Sequence, residues 1–96
     1  MGDMVSVHIP TALRGHVGDQ AKVDLEGGTV REVLDHLVEQ HSGLRGRLLD
    51  EGGELNRFVN VYVNDEDVRF LENLATALKA GDTVTLVPSI AGGSSS

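Results

Sequence analysis

The chain has 96 residues, an apolar fraction of 40% in which Phe58, Tyr62 and Phe70 are the only aromatic side chains, and a formal net charge of −7. A chain of this length folds as one domain that buries roughly two-thirds of its unfolded surface, enough for one modest aliphatic core but not for an enzyme built around a deep pocket. The charge has the wrong sign for a protein that neutralises phosphates, which excludes nucleic acid as an expected partner, and the absence of cysteine rules out disulfides, thiolate metal sites and cysteine nucleophiles.

Val5, Val7 and Ile9 alternate with Ser6 and His8, the period of a half-buried strand, and Pro10 ends the run because it has no N–H to give a ladder. The first strand is therefore expected over residues 4–9. A polar turn through residues 14–19 leads to a second alternating run, residues 21–26, which should pair antiparallel with the first. Thr29 and Glu32 have the spacing of a capping box, and Val30, Val33, Leu34, Leu37 and Val38 follow at helical spacing. These predict a helix over residues 30–41, with Gly43 as a left-handed stop.

Residues 50–56 read as an acidic, glycine-rich loop, and the β-branched and aromatic run 58–63 as a third strand closed by a turn at Asn64-Asp65. Residues 68–70 are expected as a short edge strand, residues 71–80 as a brief helical turn carrying Leu74 and Leu78, and residues 83–88 as the last strand. A helix between the hairpin and the later strands must return by a right-handed crossover, giving an α+β fold: a mixed four- to five-stranded sheet with one main helix on one face. Domain organisation follows as a body, residues 1–91, and a short mobile tail, residues 92–96, with no side chain large enough to anchor it.

Other clusters read as ordinary surface. His36 and His41 flank Glu39, but five residues at 100° each put the two rings about 140° apart on a helix, so no shared metal is expected. His8 and His16 have no partner at ligand spacing. Asp65, Glu66 and Asp67 lack the loop pattern of a calcium site and read as an exposed turn or a partner contact. Gly27-Gly28 and Gly52-Gly53 lack the Lys-Ser/Thr of a phosphate loop, and no serine sits in G-x-S-x-G. No apolar run approaches the roughly 20 residues that span a bilayer and no signal segment is visible, so the expectation is a cytoplasmic protein without membrane contact. The C-terminal half is the more acidic, with eight acidic and three basic side chains in residues 49–96 against seven and five in residues 1–48. A basic partner surface would be steered towards it.

The run from Leu78 to Gly93, with a Gly81-Asp82 turn, a hydrophobic strand, Pro88 and Gly92-Gly93, resembles the end of the ThiS/MoaD family of ubiquitin-like sulfur carriers. Residues 58–69 and a start through Ile9-Pro10-Thr11-Ala12-Leu13-Arg14 are similar to the CysO-type carriers that deliver sulfur for cysteine synthesis. The likeness covers about residues 5–93. It departs at the end, where such carriers stop at the second glycine and this chain continues with Ser94, Ser95 and Ser96.

The resemblance implies a β-grasp fold and a carrier that is not itself an enzyme. It holds no cofactor, and ATP is used by an activating enzyme of the ubiquitin-activating kind, with a rhodanese domain among the forms it could take. In this reading Gly93 carries the adenylate and then the thiocarboxylate. Gly92 lets the backbone thread a narrow channel because it has no Cβ. Pro88, Ile90, Ala91, Asp65, Glu66 and Asp67 dock partners, and no metal is bound. The sulfur acceptor is expected to be a PLP-dependent biosynthetic enzyme, cysteine synthase first among them. The three serines are read either as a native extension trimmed by a metalloprotease or as an appended remnant. Two other readings share the tail: a protein modifier joined through Gly93, and a small subunit of molybdopterin synthase.

Overall fold

The computed structural model describes residues 4–88. Five strands form one mixed sheet: β1 (Met4–His8), β2 (Lys22–Glu26), β3 (Val59–Val63), β4 (Glu66–Asp67) and β5 (Thr83–Pro88), in the spatial order β2-β1-β5-β3-β4. β1 and β2 make the expected antiparallel hairpin, with Val7 opposite Val23. β5 enters parallel to β1 and antiparallel to β3, so the first and last strands lie side by side, with β5 at the centre of the sheet. Helix α1 (Val30–Gln40) packs on one face, and the arrangement is the β-grasp fold.

The four longer strands bury their alternate residues, Val5, Val7, Val23, Leu25, Val59, Val61, Val63, Val84 and Leu86, against the α1 stripe Val30, Val33, Leu34, Leu37 and Val38. Every buried apolar residue among those described is Val, Leu or Ile. The aromatics stay outside: Phe58 is 47% and Phe70 87% exposed, while Tyr62 is half-buried.

The start of α1 differs in one detail from a strict capping box. Thr29 Oγ1 accepts from the Glu32 amide at 3.3 Å, but Glu32 Oε1 accepts from the amide of Gly28 rather than of Thr29. The helix end is further fixed from outside, because the Val30 amide donates to Thr76 O at 3.0 Å and the Leu78 amide to Gly28 O at 2.9 Å.

Two expectations are corrected and two are refined. Gly43 is not a left-handed stop: α1 ends at Gln40, and Gly43 lies in a 3-10 turn (Ser42–Leu44) that runs into α2 (Arg45–Leu48), with positive φ found at Gly18, Gly53 and Gly81 instead. The chain coils on there because Leu44, Leu48 and Leu49 must reach the core. Residues 68–70 form a 3-10 turn rather than an edge strand, since Asp67 Oδ1 accepts the Arg69 amide at 2.8 Å and diverts the backbone from the ladder; the edge strand is β4. The helical turn within residues 71–80 is a single 3-10 turn, Asn73–Ala75. The polar turn expected over residues 14–19 is preceded and partly formed by a 3-10 helix, Thr11–His16, that buries Leu13, with the turn itself at residues 17–19. The expected domain boundary after residue 91 lies outside the described residues.

Candidate functional site

Of the residues expected to carry chemistry, Ile90, Ala91, Gly92 and Gly93 lie outside the described residues. Pro88 is the last described residue before them. Pro88 closes β5 opposite Val59, exposed at the edge of the body and five residues before Gly93. β5 is a central strand with neighbours on both sides, so whatever pulls on the tail pulls on the middle of the sheet.

The acidic turn sits at the other end of β3. Asn64 and Asp65 have φ of 51° and 76°, the paired left-handed geometry of a tight hairpin, and Val63 pairs with both Glu66 and Val84. From Val84 to Pro88 the strand rises about 13 Å at roughly 3.3 Å per residue. The fold therefore separates the expected docking residues into two sites, Pro88 at one end and Asp65, Glu66 and Asp67 at the other. Within the turn the three carboxylates are not equivalent. Asp65 and Glu66 are exposed, whereas Asp67 is half-buried and accepts the Arg69 amide.

Arg69 has a structural task that the sequence does not announce. Its guanidinium donates to Asn60 Oδ1 at 2.6 Å and to Val59 O at 3.1 Å, satisfying the part of the β3 edge that two-residue β4 leaves open. Phe70, next in sequence, is thrust outward beside Tyr62 and the acidic turn.

At the tail root the structure forms a shallow groove of about 280 Å³. Ala12 and Leu13 come from the 3-10 helix after β1, Gly46 and Arg47 from α2, Asn56 and Phe58 from the segment before β3, Val59 from the start of β3, and Pro88 from the end of β5. Sequence reasoning missed this site. A signal was present for Phe58: strict alternation from 58 to 63 puts Phe58, Asn60 and Tyr62 on the face opposite Val59, Val61 and Val63. Nothing in the sequence brings Ala12 and Arg47 to the same place.

The sheet face away from α1 is open and polar. Cross-strand register places Lys22, His8, Thr85, Tyr62 and Asp67 in one row across all five strands, with Val87 and Met4 partly exposed on the same face. His36 Nδ1 lies 2.6 Å from Glu26 O, tying α1 to β2. Among the described residues no group of three or more His, Cys, Asp or Glu is placed to hold a metal, and no helix is long and apolar enough to cross a membrane. Asp82 is held below the usual carboxylate range, chiefly because its carboxylate accepts the Lys79 amide and, second, the Asn64 side-chain amide.

Comparison with known proteins matches residues 7–93 to the ThiS family. The chain is 52% identical to the sulfur carrier protein CysO of Mycobacterium tuberculosis over 91 residues, covering 93% of this chain and 98% of that one. It is 43% identical over 68 residues to small archaeal modifier protein 3 of Haloferax volcanii, covering 71% and 73%. A crystal structure of the Amycolatopsis orientalis BexX/CysO complex superposes with a TM-score of 0.85 at 49% identity, covering 93% of this chain and 99% of that one.

Proposed function

The chain belongs to the ThiS family and is a sulfur carrier of the CysO type, and from that premise we propose that sulfur rides as a thiocarboxylate on Gly93 once residues 94–96 are removed. The observation that carries the reading is where the family match stops: it runs through Gly93 and leaves the three serines outside. While Gly93 is joined to Ser94 its carboxyl is in a peptide bond, so a protease, of the metalloprotease kind, acts first.

The free Gly93 carboxylate then attacks the α-phosphorus of ATP on the activating enzyme and releases pyrophosphate. Hydrosulfide displaces AMP at the acyl carbon, leaving the thiocarboxylate, which is anionic at neutral pH and is the nucleophile towards the acceptor. Because the anion is itself the nucleophile, the chain needs no base of its own. Its contribution is reach: the five residues from Ser89 to Gly93 extend at most about 17 Å beyond Pro88, enough to deliver sulfur into another protein while the body stays outside. Gly92 and Gly93 present no Cβ to the channel, and Ile90 and Ala91 are the last side chains to grip its wall. The acceptor is a PLP-dependent enzyme of cysteine biosynthesis.

The test incubates the 96-residue chain and a chain ending at Gly93 with the activating enzyme, ATP and a sulfide source, and reads intact mass. Only the trimmed chain should gain the mass of one sulfur in place of one oxygen. Equal gain on both, or none on the trimmed form, overturns the reading. Membership of named archaeal modifiers in the same set of relatives supports a second reading, conjugation through Gly93. Isopeptide-linked species in cell extracts would show it. With Lys22 and Lys79 as the only lysines, the chain has little capacity to build polymers of itself.

A further inference from the structure

The charge on this molecule is not evenly paired. Acids outnumber bases fifteen to eight, yet among the described residues the only ion pair is Arg31 with Glu54, at 3.9 Å. Arg47 lines the groove beside Pro88, where β5 leaves, and makes no ion pair among the described residues; the neighbouring hollows put Asp50 and Glu51 beside Arg45, and Asp50 beside Arg57. Arg57 lies over the Phe58 ring, 5.3 Å from its centroid. Arg47 lines the tail-root groove with Ala12, Leu13, Phe58, Val59 and Pro88, and no acidic residue lines it. The groove is mostly apolar, with Asn56 and one cation, Arg47, and it lies beside the root of the tail on a protein of net acidic charge.

We propose that this groove is the docking point for the protein that receives the tail, and that this partner fills it with an aliphatic side chain flanked by a carboxylate. The inference rests on the reading that Gly93 is delivered into another protein. A tail that reaches at most about 17 Å from Pro88 brings any such protein against the body at this end, so the groove is covered whenever the tail is engaged. The partner's chemistry follows from the lining. Ala12, Leu13, Phe58 and Val59 offer apolar contact, and Arg47 offers a planar fork of N–H donors that matches a carboxylate. The acidic turn, at the far end of β3, steers long-range encounter; the groove fixes register. Arg47 in the groove and the carboxylates of the acidic turn thereby ask for opposite charges at these two points, which orients the partner along β3 and β5.

The probe is BexX, which crystallises with a relative 49% identical to this chain. Its affinity for the full-length chain is measured for the wild type and for Arg47→Glu, Arg47→Lys, Gly46→Glu and Lys22→Glu, with urea unfolding as the control for folding. Gly46 also lines the groove, and a Cβ built there meets nothing within 4 Å, so Gly46→Glu places a negative charge in the groove without straining the body. Lys22→Glu makes the same charge change as Arg47→Glu on β2, at the opposite edge of the sheet from β4. Arg47→Glu and Gly46→Glu should each weaken binding by about tenfold or more, with Arg47→Lys retaining most of it and Lys22→Glu unchanged. Wild-type affinity in Arg47→Glu, or an equal loss in Lys22→Glu, overturns the proposal. A groove that binds through Arg47 in a chain that never gains sulfur supports the docking inference while overturning the sulfur reading, so the two fail separately.

Discussion

Asp82 joins two turns that are distant in sequence. Its Oδ2 accepts the Lys79 amide at 2.8 Å, closing the turn at Gly81 (φ 89°), and its Oδ1 accepts Asn64 Nδ2 at 3.0 Å, while Asn64 Oδ1 accepts the Thr83 amide. These bonds favour the charged form, so its folded pKa lies below the unfolded value of about 3.9. A depressed carboxylate gives stability that is present above the unfolded pKa and lost as pH falls through the folded one. Asp82→Ala should therefore cost about 1 kcal/mol at pH 7, with the gap to wild type closing as pH is lowered below about 4. Urea unfolding at both pH values checks it, and a gap independent of pH excludes the charge as the cause. Gly27 is fixed for a different reason: a Cβ there would lie 2.5 Å from Val33 Cγ2 and 3.0 Å from the Val33 amide, so the close approach of β2 to α1 needs glycine.

At the level of elements, α1 is held mainly by its buried stripe, because a helix of eleven residues is marginal alone in water. Leu37 is fully buried, and Leu37→Ala should destabilise by about 2–5 kcal/mol. Phe70→Ala, at a side chain 87% exposed, should change stability by less than about 0.5 kcal/mol. Equilibrium denaturation of the pair gives the contrast, and similar losses at both sites would contradict the assigned core. The segment after β4 is held by side chains instead of ladder bonds: Asp67 turns the backbone, Arg69 seals the β3 edge, and Thr76 Oγ1 accepts the Glu72 amide beneath it.

For the whole molecule, the placement of charge decides how partners approach. Asp65 and Glu66 are exposed at one end of β3, and at the other Arg47 lines the groove, with Asp50 and Glu51 lining the hollow beside it. Reversing Asp65 and Glu66 to lysine should slow association with the activating enzyme at low salt and flatten the salt dependence, without abolishing binding. Stopped-flow association rates at two ionic strengths measure this, and an unchanged on-rate removes the turn from the encounter surface. Asp67 is left intact in this test because its carboxylate holds the Arg69 amide.

The elements whose periodicity is local were readable from the residues alone. The alternation of β1, β2 and β5, the α1 stripe and the Gly81-Asp82 turn each encode their own structure within a few residues, and an aliphatic composition dictated an aliphatic core. The run ending at Gly92-Gly93 likewise pointed to the family, because the order of turn, strand, proline and glycines is linear information. Tertiary packing decided the rest. Whether residues 68–70 pair as a strand depends on one Asp67 hydrogen bond against a ladder, and whether the chain stops at Gly43 depends on Leu44 and Leu48 finding the core. The groove at Pro88 exists only because β1, α2, β3 and β5 end at one place, so its residues, spread from Ala12 to Pro88, share no signal in the sequence. Separation of the acidic turn from the tail root by the length of β3 is of the same kind: adjacency in a sheet is set by register, which no single segment specifies.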